Sequence, residues 1–273
     1  MSEQQAIAII DSGVGGLTVV KEVMRQLPEE RILYFGDNAR CPYGSKTPDE
    51  IRAYTYQMIE FVLNYPLKAL VIACNTATAV VLEEIRQQLP LPVIGVIEPG
   101  ARAAMLASKT GRIGVIGTET TIRSRAYEHA LFRLHPDLYV VGLACPSFVP
   151  LVESRLQHTG EAREAVEQSL GRLRQEELDT LILGCTHYPL LAPVIQDVLG
   201  PDIRLISSAE ETARELSRRL EHGKDQENTA DAAIPAHLFV TSGDPEKFRL
   251  IAEEWLGCSL QIERRNLEKT LQS

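Results

Sequence analysis

An apolar run that delivers a cysteine into a cluster of small polar residues occurs twice in this 273-residue chain. Residues 69–78 read ALVIACNTAT and residues 180–189 read TLILGCTHYP, so Leu70 to Thr76 falls on Leu181 to His187 at an offset of 111. An uncharged run of about four to six apolar residues is the pattern of a strand buried on both faces of a parallel sheet. The carboxyl end of such a strand is where open α/β sheets place ligands. Each cysteine stands just before an expected helix start, where backbone N–H groups and the helix dipole favour a thiolate. A single buried cysteine packs as a small hydrophobe. Two at matched strand ends, Cys74 and Cys185, point instead to a pair of working thiols.

The repeat extends beyond the cysteines. Ile113 to Thr118 matches Ile7 to Ser12, and Leu138 to Gly142 matches Ile32 to Gly36, both at an offset of 106. Three strands in the same order at nearly one offset describe a duplicated α/β unit. The two units are expected to face one another across a cleft. Residues 1–97 together with 208–273 would form the first domain, carrying Cys74, and residues 98–207 the second, carrying Cys185.

Taken in order, the strand at 6–10 runs into Asp11-Ser12 and the glycine-rich turn Gly13-Val14-Gly15-Gly16, ahead of a helix whose apolar positions are Leu17, Val20, Met24 and Leu27. Asp37 follows about 20 residues later, which imitates a dinucleotide fingerprint, but the spacing is G-x-G-G and Thr18 stands where the third glycine belongs. Residues 36–44, GDNARCPYG, follow the strand at 32–35 and read as a binding loop. A helix opens at Thr47-Pro48-Asp49-Glu50, another ends at Pro90, and Val93–Ile97 reads as a strand leading to a crossing at Glu98-Pro99-Gly100. The second unit has its own polar strand ends, at Thr118 to Thr121, at Cys145 to Glu153 and at Cys185-Thr186-His187. Cys145 has no counterpart in the first unit and reads as packing. A strand at 203–206, a helix at 210–220, a polar linker at 222–236, a strand at 237–241 and a helix from Asp244-Pro245 complete the chain. This last part is too small to bury its own apolar faces and should fold back onto the first unit.

Composition narrows the functional classes. With 28 basic against 37 acidic residues the net charge is −9, which argues against a nucleic-acid or anionic-membrane surface, so any anionic ligand must be held by local donors. No apolar run approaches the roughly 18 residues of a membrane span and no signal pattern opens the chain, so a cytoplasmic location is expected. The five cysteines are scattered without a C-x-x-C, which suggests neither a disulfide framework nor a structural zinc site. Cys185-x-His187 offers two metal ligands that no second clustered pair completes.

One cysteine with a histidine would suit acyl transfer. Two symmetric cysteines suit a different reaction, in which a thiolate removes a proton from a carbon while the opposite thiol returns one to the other face and inverts the centre. A proton α to a carboxylate is far less acidic than a thiol with a pKa of about 8.5. The site must therefore stabilise a carbanion-like state with preorganised donors and exclude water. Ser12, Asn75, Thr76, Thr118, Thr121 and Thr186 are placed for this, and Asp11 and His187 could each adjust one thiol. Glu153 reads either as part of the site or as an ordinary surface carboxylate.

The segments DSGVGGLTV (11–19), FGDNARCPYG (35–44), ACNTAT (73–78), VIEPG (96–100), CPSFVPLVE (145–153) and GCTHYPL (184–190) resemble the glutamate racemases of the cofactor-independent aspartate/glutamate racemase superfamily. The resemblance implies two pseudo-symmetric α/β domains, each a mainly parallel sheet flanked by helices, with the active site between them and no cofactor or metal. It implies that Cys74 deprotonates D-glutamate and Cys185 L-glutamate, assisted by Asp11, Glu153 and His187. Substrate would be bound by Asp11-Ser12, Pro42-Tyr43-Gly44, Asn75-Thr76 and Thr186-His187, with Thr118 and Thr121 near its carboxylate. It further implies a bacterial, cytoplasmic homodimer supplying D-glutamate for peptidoglycan. Some members carry an amino-terminal extension linked to activation by a cell-wall precursor; Ile7 begins the first strand almost at once, so that regulation is not expected. The alternatives are an aspartate or hydantoin racemase, a nucleotide- or metabolite-binding module, and a cysteine hydrolase.

Overall fold

The computed structural model describes residues 5–221 and 236–267, so the polar linker expected at 222–236 lies, but for Ala236, outside the described residues. Among the described residues ten strands form two sheets: β1 Ala6–Asp11, β2 Ile32–Gly36, β3 Leu67–Ile72, β4 Val93–Gly95, β5 Arg112–Gly117, β6 Tyr139–Ala144, β7 Thr180–Gly184, β8 Arg204–Ser207, β9 Leu238–Thr241 and β10 Ile262–Arg264. The first sheet has the order β10-β9-β2-β1-β3-β4 and the second β6-β5-β7-β8. All the strand pairs are parallel. Within them, β2-β1-β3-β4 and β6-β5-β7-β8 are the same arrangement, which is the duplication seen in the sequence.

Parallel sheets carry helices on both faces, and the strand sequences show it. Every residue of β1 is buried. Ile7 and Ile9 point into one layer with Val20, Phe239 and Phe248, while Ala8 and Ile10 point into the other with Ile51, Met58 and Ile72. Each such aliphatic side chain contributes about 1.5–3 kcal/mol of hydrophobic stabilisation, so alternation of polar and apolar residues is absent for a physical reason. The second sheet is likewise covered by two clusters, one around Val166, Leu181 and Tyr188 and one around Ala101, Leu131 and Ile182.

Local signals set the helix limits. Thr47 caps Pro48–Val62 through a reciprocal bond with Glu50, and Pro48 sits where its missing N–H costs nothing. Asp244 accepts from the backbone N–H groups of Glu246 and Lys247 to start Pro245–Leu256, which stops at Gly257 with φ of 72°. The carboxyl-terminal part returns to the first sheet as expected, β9 pairing with β2 and β10 with β9; β10 itself was not anticipated.

Three local expectations are corrected. The strand at 93 ends at Gly95, and Glu98-Pro99-Gly100 lies in the first turn of the helix Ile97–Ala107, where a proline is tolerated because that N–H has no intrahelical partner. Thr118 to Thr121 is a short helix, Glu119–Arg123, capped by the Thr118 hydroxyl. After Cys185 the chain makes a turn and a short 3₁₀ segment, Tyr188–Leu191, before the α-helix Ala192–Leu199 begins. No helix among the described residues is long and apolar enough to cross a membrane.

Candidate active site

Four strand ends meet: β1 at Asp11, β3 ahead of Cys74, β5 ahead of Thr118 and β7 ahead of Cys185. These are the carboxyl ends of the central strands of the two sheets, the usual ligand edge of a parallel sheet. Hydrogen bonds knit the two edges together. Thr186 Oγ1 donates to Asp11 Oδ2 at 3.2 Å, Thr120 Oγ1 to the Gly44 carbonyl at 3.0 Å, and Tyr127 OH to Asn75 Oδ1 at 2.7 Å. The Thr76 and Thr118 hydroxyls are 2.8 Å apart.

The glycine-rich turn is what allows this approach. A Cβ at Gly15 would stand 2.4 Å from Thr186 Oγ1 and 2.5 Å from His187 Nδ1. The small residue admits the turn beneath the other half's polar strand end. Asp11 is fully buried beside it and accepts from the Gly13 N–H at 2.9 Å. Burial raises the Asp11 pKa, against the opposing pull of His187 and of the Gly13 and Gly16 backbone N–H groups.

The two thiols have different surroundings. Cys74 occupies the N-cap of the helix Asn75–Gln88, its sulfur accepting from the Ala77 N–H at 3.5 Å and lying 3.6 Å from Ser12 Oγ. Burial pushes its pKa up to about 12, with Asp11 adding to the rise and Ala77 and Ser12 opposing it. Cys185 lies instead in a turn, its sulfur 3.8 Å from His187 Nδ1. The expected helix-start environment therefore exists at Cys74 and not at Cys185. The Cys185 sulfur adds to the rise at Cys74 as the weakest of its causes.

His187 links Cys185 to the carboxylate Glu153, whose Oε1 is 2.7 Å from Nε2. Burial pulls the histidine pKa down, but Cys185 and Glu153 outweigh it and hold it well above the ordinary imidazole value. Burial likewise raises Glu153, and His187, the Val14 N–H and Cys41 outweigh it and bring it below the ordinary value. Glu153 is thus part of the cluster, its side chain 26% exposed against 2% for His187.

The hydroxyls of Thr76, Thr118 and Thr121 form a closed triangle, with Thr121 3.3 Å from Thr76 and 3.0 Å from Thr118. Asn75 presents a buried side-chain NH₂ with no protein partner. These are donors gathered at one place, fit for a carboxylate. A small cavity of about 50 Å³ lies beside them, lined by Pro42, Gly44, Thr118 and Val149 among others. The Tyr43 side chain is buried, its hydroxyl donating to the buried Asp37 carboxylate, and does not line this cavity. Sequence reasoning missed the roles of Cys41, which contacts Glu153 at 3.6 Å, and of Tyr127, which holds Asn75. The first lay in a recognised loop; nothing in the sequence around Tyr127 marked it.

The chain is thus a duplicated parallel α/β protein with two buried thiols, one beside a carboxylate and the other beside a histidine. The profile of the Asp/Glu/Hydantoin racemase family matches residues 7–216, and the chain belongs to that family. It is 50% identical to glutamate racemase of Bacillus cereus over 98% of this chain and 100% of that one. The crystal structure of glutamate racemase isoform RacE1 from Bacillus anthracis superposes with a TM-score of 0.91 at 50% identity, covering 96% of this chain and 97% of that one. Glutamate racemase from Francisella tularensis, solved in complex with D-glutamate, gives 0.88 at 34% identity, covering 97% of this chain and 98% of that one.

Proposed function

We infer that this protein interconverts L- and D-glutamate by a cofactor-independent transfer of the α-proton between two thiols. What supports the reading is that Cys74 and Cys185 are both buried just beyond strand ends of the two sheets, in segments whose neighbours Asp11 and Thr186 are hydrogen-bonded to each other. In this reading Cys185 deprotonates L-glutamate and Cys74 protonates the opposite face; the reverse direction exchanges the roles. The resulting state is planar and carbanion-like at Cα, with its charge delocalised into the carboxylate.

The surroundings supply the asymmetry such a reaction requires. Asp11 beside Cys74 favours a neutral thiol there, ready to give a proton. An imidazolium at His187 places positive charge 3.8 Å from the Cys185 sulfur, where a thiolate would sit. The ammonium group of an amino acid brings a further charge into the site and offsets the Asp11 carboxylate. The Thr76, Thr118 and Thr121 hydroxyls and the Asn75 amide receive the α-carboxylate, whose charge rises in the transition state. Ser12, Pro42-Tyr43-Gly44 and Thr186 are assigned to substrate binding in the same reading.

Glutamate is the substrate favoured, because relatives at about half identity over nearly the whole chain are glutamate racemases. The domain division at 1–97 with 208–273 and 98–207, a homodimeric assembly, a cytoplasmic location and the supply of D-glutamate to peptidoglycan belong to the same proposal.

The test is proton NMR of L-glutamate, and separately D-glutamate, in D₂O with metal-free enzyme and no added cofactor, alongside optical rotation. Loss of the α-proton signal together with optical activity is the expected result. Turnover of aspartate or a hydantoin with glutamate left intact would replace the substrate assignment.

A further inference from the structure

Cys41, Glu153 and His187 lie on three separate segments, and they meet at one point. Glu153 Oε1 is 2.7 Å from His187 Nε2 and 3.6 Å from Cys41 Sγ, and the three atoms all lie within 4.8 Å of one another. Around a tetrahedral zinc ion, with bonds of about 2.0 Å to nitrogen and oxygen and about 2.3 Å to sulfur, ligand atoms stand roughly 3.3–3.5 Å apart. The observed separations fall on both sides of that value, so shifts of about an ångström bring all three donors onto one centre. Gly13 leaves the room: a Cβ there would stand 2.8 Å from Glu153 Oε1 and 2.9 Å from Cys41 Sγ.

The donor set is imidazole, carboxylate and thiol, which suits a borderline-soft divalent ion and not magnesium or calcium, whose ligands are oxygens. Cys41 is partly exposed and the Glu153 side chain is 26% exposed, which gives an ion a path in and leaves a fourth position for water. Along the sequence, the nearest potential ligand to His187 is Cys185, two residues away. In the fold His187 finds its companions 34 and 146 residues away.

We propose that Cys41, Glu153 and His187 form an inhibitory binding site for a divalent cation of the zinc type. On binding, the ion takes the Nε2 lone pair, a carboxylate oxygen and the Cys41 sulfur, and the Nε2–H proton and the Cys41 thiol proton both leave to solvent. The His187 Nδ1 then keeps its hydrogen and can only donate toward Cys185. The ion replaces the direct Glu153–His187 contact and pins the ring beside Cys185, so turnover slows. The inhibitory half rests on the reading of His187 and Cys185 given above; the binding half does not.

The experiment uses the full chain carrying Cys258→Ser, which removes an exposed thiol, and titrates metal-free protein with Co²⁺. One Co²⁺ per chain and a near-ultraviolet thiolate-to-cobalt absorption are expected, displaced by Zn²⁺. Cys41→Ser, with Cys41→Ala as the second variant and circular dichroism as the folding check, should remove the absorption and weaken binding by about 100-fold or more. Racemisation should slow with added Zn²⁺, and the Cys41 variants, each normalised to its own metal-free rate, should need at least about tenfold more. An absorption that survives in Cys41→Ser, one lost only in Cys74→Ser or Cys185→Ser, or no Co²⁺ complex at all overturns the site. A complex that leaves turnover unchanged overturns the inhibition. If glutamate proves not to be the substrate, the cobalt absorption still decides whether the metal site exists.

Discussion

Glu153 Oε1 stands 2.7 Å from His187 Nε2 and so fixes which ring nitrogen faces Cys185. The carboxylate and the sulfur both hold the ring charged, and Glu153→Gln removes one of them. The imidazole pKa should fall, read directly from its NMR titration, and kcat/KM should drop about 10- to 150-fold, the loss of a charge-assisted hydrogen bond of about 1.5–3 kcal/mol. Because mirror-image isomers have an equilibrium constant of one, the drop must be equal in both directions. An unshifted His187 titration would remove Glu153 from this role.

The same pair gives stability a defined pH window. His187, with its pKa raised, contributes fully below the ordinary imidazole value of about 6.5, and that contribution is lost as pH rises through the raised value. Glu153, with its pKa lowered, contributes above the ordinary carboxylate value of about 4.3 and loses this as pH falls. Urea midpoints of the parent and Glu153→Gln should therefore differ most between those limits and converge at acid pH.

Cys74→Ala and Cys185→Ala should each lower racemisation by about 10³-fold or more, within the range for a positioned acid or base, with the circular dichroism spectrum retained. Appreciable racemisation by either variant would end the two-thiol mechanism.

Thr118 has two duties, as cap of the helix Glu119–Arg123 and as a corner of the hydroxyl triangle. Thr118→Ala should cost about 0.5–2 kcal/mol of stability through the lost cap and raise KM for the amino acid. Thr118→Ser keeps the hydroxyl and should recover most of both. Equal damage from Ala and Ser would mean that the methyl group, packed against Gly44, is what matters.

Gly15→Ala pushes a methyl group to within 2.5 Å of His187 Nδ1 and closer still to Thr186 Oγ1. The two halves must then separate or the His187 turn must shift, at a cost of about 1–3 kcal/mol typical of overpacking. Turnover should fall further than this stability loss explains, measured as kcat at a temperature well below the melting point of both proteins.

Cys145 is buried, and burial, with Cys185 adding to the rise, pushes its pKa up to about 12. A thiol whose pKa is raised in the folded state stabilises the protein below its unfolded value and loses that contribution as pH rises from about 8.5 toward 12. Cys145→Ala should flatten the alkaline fall in stability by up to about 1.4 kcal/mol per pH unit. An unchanged slope in urea titrations at pH 9 and 11 would show that Cys145 does not titrate there.

The sequence by itself determined the parallel, twice-built sheet, because strands buried on both faces must be continuous apolar runs, and the runs at 7, 32 and 70 return at 113, 138 and 181. It also determined which residues stand at the strand ends, since Asp11, Cys74, Thr118 and Cys185 immediately follow or end those runs. Only the tertiary structure decided who meets whom. Glu153 joins His187, Cys41 joins Glu153, Tyr127 holds Asn75, and Tyr43 turns inward to Asp37. Strand periodicity is a local property of burial, legible in any short window. Contacts such as Glu153–His187, 34 residues apart, and Cys41–Glu153, 112 apart, depend on how the segments beyond the strand ends are brought together, and no local pattern encodes that.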